Sequence, residues 1–285
     1  MKEKLLIMVL AVVFAACSHR QDGDTTTATS AQYEALRRDV AAMLSDEPDS
    51  VFAMLDRLEI SDQYPYCVVN LIRGNMYGQM MSLRFAEFYL REAIGEELHE
   101  EWPQGYYMGI YNLGLSLQER SNLDEGDKTM QRCYDQLMAR ATTDTTHASI
   151  EQIGTMSTNI ALDYYNHYPE ATMPWIERAE KALDLLAEHN ERSQQPSNEP
   201  IMRVKLQMIK AILYATNGQT ELATKTYNKV MASSYANHPI LISDKMAYLE
   251  KTGQWDAAAD LVPQFADLNG AEPNDDLTML CLRIS

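Results

Sequence analysis

The stretch AILYATNGQTELATKTYNKV (residues 211–230) reads as parts of two helices joined by a tight turn. Before the turn, Ala211 and Tyr214 share one face at helical spacing, and after it Ala223, Tyr227 and Val230 do the same. Between them stands Asn217-Gly218-Gln219. Glycine is favoured just past a helix end because it takes the left-handed conformation without a steric penalty. Counted from Ala211, the pattern is a small residue, an aromatic or leucine at +3, then small, large and small residues at +12, +16 and +19.

Working outward, the pattern recurs. Gly74, Tyr77, Ala86, Leu90 and Ala93 satisfy it, and Gly114, Leu117, Gly126, Met130 and Cys133 satisfy it again forty residues later. Met246, Leu249, Ala258, Val262 and Phe265 give a looser instance, preceded by a second turn of the same kind at Thr252-Gly253-Gln254. A region with a longer inter-helix loop separates the second and third instances, with Ala161 and Tyr164 in one helix and Ala179 and Ala182 in the next. The physical reading is an antiparallel helix pair. Small residues at +0 and +12 let two helices approach where they cross, large residues fill the space beside the crossing, and the next pair covers what is left.

These residues resemble the tetratricopeptide repeat (TPR). The resemblance rests on residues 211–230, on Arg73 to Tyr77 with Phe85-Ala86 and Ala93, on Leu113-Gly114, and on Trp255 at a position often aromatic in the family. It implies an all-α solenoid of antiparallel helix pairs over residues 31–285, with the clearest repeats at about 65–98, 104–140, 203–234 and 238–266. The chain departs from the family in mostly lacking the proline after the second helix. Its earlier repeats also lie farther apart than the standard period of about 34 residues. Irregular loops at residues 141–149 and 190–200 are expected to absorb that excess. Residues 33–44 and 51–58, the latter introduced by Asp46-Glu47-Pro48-Asp49-Ser50, predict an N-terminal capping pair. Pro273-Asn274-Asp275-Asp276 predicts the start of a C-terminal helix with Leu277, Met279, Leu280, Leu282 and Ile284 apolar.

Composition agrees with helix. The chain is rich in Ala, Leu, Met, Glu and Gln and holds only 12 Gly and 10 Pro among 285 residues. Its net charge of −17 repels nucleic acid and anionic lipid headgroups, which argues against a DNA-binding role.

The N-terminus predicts export. Lys2 and Lys4 precede an apolar run of twelve residues, 5–16 (LLIMVLAVVFAA), too short for a bilayer core, which needs about 20. Phe14-Ala15-Ala16-Cys17 resembles the bacterial lipobox, which implies that residues 1–16 are a signal peptide. It implies too that Cys17 is acylated, with palmitate among the expected chains, and becomes the first residue of the mature protein. Phe14 stands where the lipobox usually has Leu. Residues 18–30 (SHRQDGDTTTATS) contain no large apolar side chain and predict a flexible tether. The expected location is the cell envelope, lipid-anchored, facing the periplasm or at the outer membrane. Cys67, Cys133 and Cys281 remain, an odd number with no CxxC, so neither a zinc site nor a disulfide framework is suggested; Cys67 and Cys133 read as small core residues.

No HExxH, P-loop, GxGxxG, GxSxG or SxxK motif occurs, and His99 among Glu96, Glu97, Glu100 and Glu101 reads as a solvated helix end. The expectation is a protein without catalytic activity, cofactor or metal. By its repeat positions, the TPR resemblance implies a concave face of first helices that binds a protein or peptide partner. That face takes in Leu71, Asn75, Gln79, Met108, Tyr111, Asn112, Leu115, Gln118, Lys205 and Met208, with Ile212 beside them. Asn75 and Asn112 match two asparagines of the carboxylate clamp of some TPR proteins, but Leu71, Thr155 and Asn159 stand where that clamp has basic residues. Lipobox and irregular repeats together are similar to the extracytoplasmic TPR regions of Bacteroidota sensor kinases and related regulators, which implies a sensory role. An outer-membrane assembly lipoprotein and a glycan-binding lipoprotein of the starch-utilisation type are the alternatives.

Overall fold

Apolar residues at three- and four-residue spacing bury one stripe of a helix, and such stripes stack most economically as antiparallel neighbours. The computed structural model, which describes residues 25–44, 47–61 and 63–268, is all-α, and no strand occurs among those residues. Its α-helices are α1 Thr25–Leu44, α2 Pro48–Ile60, α3 Tyr66–Gln79, α4 Leu83–Ala93, α5 Glu96–Glu101, α6 Pro103–Glu119 and α7 Leu123–Arg140. They continue with α8 His147–His167, α9 Thr172–Ser193, α10 Glu199–Thr216, α11 Thr220–Met231, α12 Ile242–Lys251, α13 Trp255–Ala259 and α14 Val262–Leu268. The chain divides into two compact units at Met156/Ser157.

In the first unit α1 and α2 form the expected N-terminal pair. Tyr33, Leu36 and Val40 of α1 and Val51 and Leu55 of α2 enter one core with Val68, Ile72 and Met76 of α3 and Leu90 of α4. Helix α2 starts at Pro48, whose missing N–H costs nothing in a first turn. Helix α1 reaches back to Thr25, so the last six residues of the expected flexible tether are helical. Once a helix is nucleated by its buried turns, each added residue gains a hydrogen bond at little cost. The expected signal peptide, Cys17, residues 18–24, the expected C-terminal helix and Cys281 lie outside the described residues.

The pattern of small and large residues appears as contacts. In pair α3–α4 a Cβ on Gly74 would lie 2.8 Å from Leu90 Cγ, so the +0 glycine is the seat of the +16 leucine. In pair α6–α7 a Cβ on Gly114 would meet Met130 Sδ at 3.0 Å, and one on Gly126 would sit 3.2 Å from the Gly114 carbonyl oxygen. Cys67 and Cys133 are buried, and burial pushes their thiols up to about 11 and about 12, which keeps them protonated and inert.

In the second unit α10 with α11, and α12 with α13, repeat the arrangement around a core of Met208, Ala211, Ile212, Ala223, Val230, Tyr248, Leu249 and Ala258. Three expectations are corrected here. The longer loop expected between Tyr164 and Ala179 is a single 3₁₀ turn, Pro169–Ala171, across which Tyr164 stacks on Trp175 with ring centroids 4.9 Å apart. The irregular loops are also shorter than expected, because α8 begins at His147, α9 runs on to Ser193 and α10 starts at Glu199. Finally, the second helix of the last instance is broken between α13 and α14: Pro263 has no N–H to donate and its ring would clash with the carbonyl four residues back.

The turns inside the pairs share one form. At Met81, Ser121, Gly218 and Gly253 the backbone is left-handed, with φ of 56°, 64°, 70° and 72°. The next residue in each turn donates its N–H to the carbonyl of the aromatic or leucine at +3. These bonds are Ser82 to Tyr77, Asn122 to Leu117, Gln219 to Tyr214 and Gln254 to Leu249, at 2.8–2.9 Å. This is the Schellman closure, and it sets the start of each second helix so that the +12 residue falls at the crossing.

Candidate functional site

The residues expected to line a groove fall into two sets, one in each unit. In the first unit they sit on α3 and α6. Leu71 is fully buried: Gly105 and Gly109 of α6 leave the space it fills, and a Cβ on either would come to 3.0 Å from its methyl carbons. Leu71 therefore locks α3 onto α6 and offers no surface. Tyr111 and Gln118 are also buried, and Gln118 donates to Asp127 at 2.9 Å across the α6–α7 pair. Asn75, Gln79, Met108, Asn112 and Leu115 keep part of their surface in solvent.

Within that set one contact joins the helices. Asn112 Nδ2 donates to Asn75 Oδ1 at 2.7 Å. An amide pair joined this way retains an N–H donor pair on Asn75 and a carbonyl acceptor on Asn112. One donor and one acceptor side by side is the complement of an extended peptide backbone. A carboxylate clamp needs cations here, and the positions do not supply them. Leu71 is apolar and Thr155 neutral, while Arg73 on α3 is committed elsewhere, donating to Glu59 at 2.6 Å and to Asp56 at 2.8 Å with its guanidinium over Tyr89. His99 lies in α5 with its ring edge-on to Tyr106.

The second set is on α10. Met208 and Ile212 are buried in the core. Lys205 is tied down: its Nζ donates to the carboxylate of Asp244 on α12 and, at 3.2 Å, to the Ile240 carbonyl. Only 14% of the Lys205 side chain and 9% of the Asp244 side chain are exposed, so this ion pair is largely dry. Burial raises the Asp244 carboxyl above the usual aspartate value, and Lys205 pulls it back only in part. Burial, and then the Asp244 charge, also pushes up the Tyr165 hydroxyl. Asp244 and Tyr165 are absent from the set read from the sequence. Met246 and Leu249 were read as the +0 and +3 positions of α12, but nothing local names a partner for Asp244 that lies 39 residues away.

No family model matches the chain, and no curated protein matches it either. Among solved structures, the crystal structure of BtubC (BKLC) from P. vanneervenii aligns with a TM-score of 0.45 and 15% identity, covering 88% of this chain and 95% of that one.

Proposed function

We propose that the chain is a non-catalytic, TPR-like binding module that holds a protein or peptide partner in the bacterial cell envelope, anchored by lipid on Cys17. The observation that carries the binding part is the Asn75–Asn112 pair, with an amide donor and a carbonyl acceptor side by side on two first helices. Gln79, Met108 and Leu115 are partly exposed on the same helices and can supply side-chain contacts beside the polar pair. The location rests on the lipobox-like Phe14-Ala15-Ala16-Cys17. In its finer form the reading is a sensory or regulatory module akin to the extracytoplasmic regions of Bacteroidota sensor kinases, supported by the combination of that signal with long, irregular repeats.

The test is capture of envelope peptides on the immobilised chain, compared with Asn75→Ala/Asn112→Ala. Loss of two hydrogen bonds to an extended backbone weakens a bound peptide by about tenfold to a hundredfold. Undiminished capture by a variant of unchanged helicity sinks the groove reading. A Cys17→Ala chain that still takes up labelled palmitate sinks the anchor.

A further inference from the structure

Arg73 on α3, Lys210 on α10 and Lys245 on α12 each stand immediately before the +0 residue of a first helix. Two of these cations are answered by acids on the second helix that precedes them. Arg73 donates to Asp56 at 2.8 Å and to Glu59 at 2.6 Å on α2, and Lys210 holds both carboxylate oxygens of Glu180 on α9 at 2.7 Å. Asp56 and Glu180 have the same setting, each directly after a fully buried residue, Leu55 and Ala179. The helix pairs are thus joined by a cation before the small residue and an acid on the preceding pair.

Lys245 lacks that acid. The second helix before α12 is α11, held against it by Tyr227, which stacks on Tyr248 with ring centroids 3.9 Å apart, one turn from Lys245. The residue after Tyr227 is Asn228, and Lys225 and Lys229 stand beside it on the same helix, both exposed. None of Lys225, Lys229 and Lys245 has an ion-pair partner among the described residues. Yet Lys245 is as deeply placed as Arg73, each with 5% of its surface exposed. Burial works against the charge of both. At Arg73 the carboxylates of Glu59 and Asp56 outweigh it; at Lys245 burial pulls the ammonium below the usual lysine value, and no described carboxylate opposes it. An ammonium so placed is strongly disfavoured until a counter-charge reaches it.

We propose that the junction of α11 and α12 is a binding site for a carboxylate of an acidic peptide segment, which takes against Lys245 the place that Asp56 and Glu180 hold in the other pairs. Lys225 and Lys229 form its rim. The site is independent of the Asn75–Asn112 groove and of the Cys17 anchor. The net charge of −17 repels an acidic segment at long range, but salt screens that repulsion beyond about 8 Å, and the contact is decided by the lysines at the junction. Two sources of the acid are to be distinguished: Glu272, Asp275 and Asp276 of this chain, which lie outside the described residues, and another molecule.

Titration of the full chain, labelled with ¹⁵N-lysine, with N-acetyl-triglutamate amide tests this, and N-acetyl-triglutamine amide is the control. Triglutamate should shift the Lys245 Nζ resonance and raise the melting temperature; triglutamine should do neither. Asn228→Asp supplies the acid from within, as Asp56 does, so it should raise the melting temperature of the free chain and remove the response to triglutamate. Read from the thermal shift, Lys245→Gln should weaken binding about tenfold to a hundredfold, and Lys229→Gln, a screened surface charge, only about two- to fivefold. A silent parent whose Glu272→Gln/Asp275→Asn/Asp276→Asn variant does respond shows that the chain's own acids hold the site, which upholds the proposal and names the source. Silence in both overturns it. So does a response that Asn228→Asp or Lys245→Gln leaves unchanged in a chain of parental helicity, since binding then lies elsewhere.

Discussion

The two units build the same helix pair from different residues. In the first, the left-handed turn positions are Met81 and Ser121 and the +0 positions are glycines, Gly74 and Gly114. In the second, the turns have Gly218 and Gly253, and the +0 positions are Ala211 and Met246. The first unit thus spends its glycines on the crossing and strains its turns; the second does the reverse. The hydrogen-bonded closure, repeated in all four turns, fixes the backbone whatever side chain it carries. The units differ again in how first helices are joined. An amide–amide bond between partly exposed Asn75 and Asn112 links α3 to α6, whereas a nearly dry ion pair, Lys205–Asp244, links α10 to α12.

The ion pair carries the largest expected effect. Lys205→Ala leaves the Asp244 carboxylate buried without its cation, and breaking a buried pair from one side costs about 3–5 kcal/mol. The pH dependence identifies the cause. Asp244 in the folded chain has a pKa above its unfolded value of 3.8, so across that window the native state holds the proton that the unfolded state has lost. Stability from this group is then present at low pH and falls as pH rises through the raised value. Removing Lys205 removes the one influence that lowers that value, so the deficit of the variant should widen as pH rises and narrow toward pH 3.8. Chemical denaturation of parent and variant across acidic and neutral pH measures this, and a pH-independent difference would show that lost packing, not the stranded carboxylate, is responsible. Asp144, in the first unit, makes the contrast. Burial works to raise it, but the Thr146 hydroxyl and backbone N–H, together with Arg140, outweigh burial and hold it below 3.8. Its contribution is present above 3.8 and is lost as pH falls, the opposite slope.

Next in size is the crossing itself. Gly74→Ala puts a methyl 2.8 Å from Leu90 Cγ and 3.1 Å from the Leu90 backbone nitrogen, overpacking worth about 1–3 kcal/mol against a helix-propensity gain of about 1. The net expectation is a loss. Ala211→Gly in the second unit removes a fully buried methyl and lowers helix propensity, a loss of about 1–2 kcal/mol. Opposite substitutions at equivalent positions both destabilise if each pair is fitted to its own +16 residue. If Gly74→Ala raises the melting temperature, as propensity alone requires, the crossing has slack and this part of the comparison fails.

These contrasts also separate what was legible in the sequence from what was not. The crossing could be read because it is local: Gly74 and Leu90, or Ala211 and Ala223, sit within one pair and keep their spacing. Gly218 and Gly253 announced their turns, whereas Met81 and Ser121 could not, since an L-residue carries no mark of the left-handed backbone it is forced into. At the candidate site Asn75 and Asn112 were each matched by repeat position to a clamp asparagine, and the hydrogen bond between them is seen only in the structure. Leu71 was assigned to the groove by the same counting, yet it is buried, because Gly105 and Gly109, on the next pair, open a socket for it. Lys205 looked free for the same reason, its partner Asp244 lying on another first helix. Repeat position gives the face of a helix; the size and charge of residues on the neighbouring pair decide whether that face meets solvent.

The smallest effect tests the turn. A non-glycine residue in the left-handed region costs about 1–2 kcal/mol, of which a glycine returns part through the greater freedom it loses on folding. Ser121→Gly should therefore stabilise the chain by about 0.5–1 kcal/mol, and Gly218→Ala should destabilise it by about 1 kcal/mol. Neither change alters packing near the turn on the Gly218 side, where a Cβ would have no atom within 4 Å. The Gly218→Ala shift therefore reports backbone strain, and Ser121→Gly asks whether the turn of the first unit carries the same strain. Thermal unfolding resolves a spread of this size. Two shifts of the same sign would mean that the closure in the first unit holds Ser121 by some contact of its side chain, and that the two units do not share one turn.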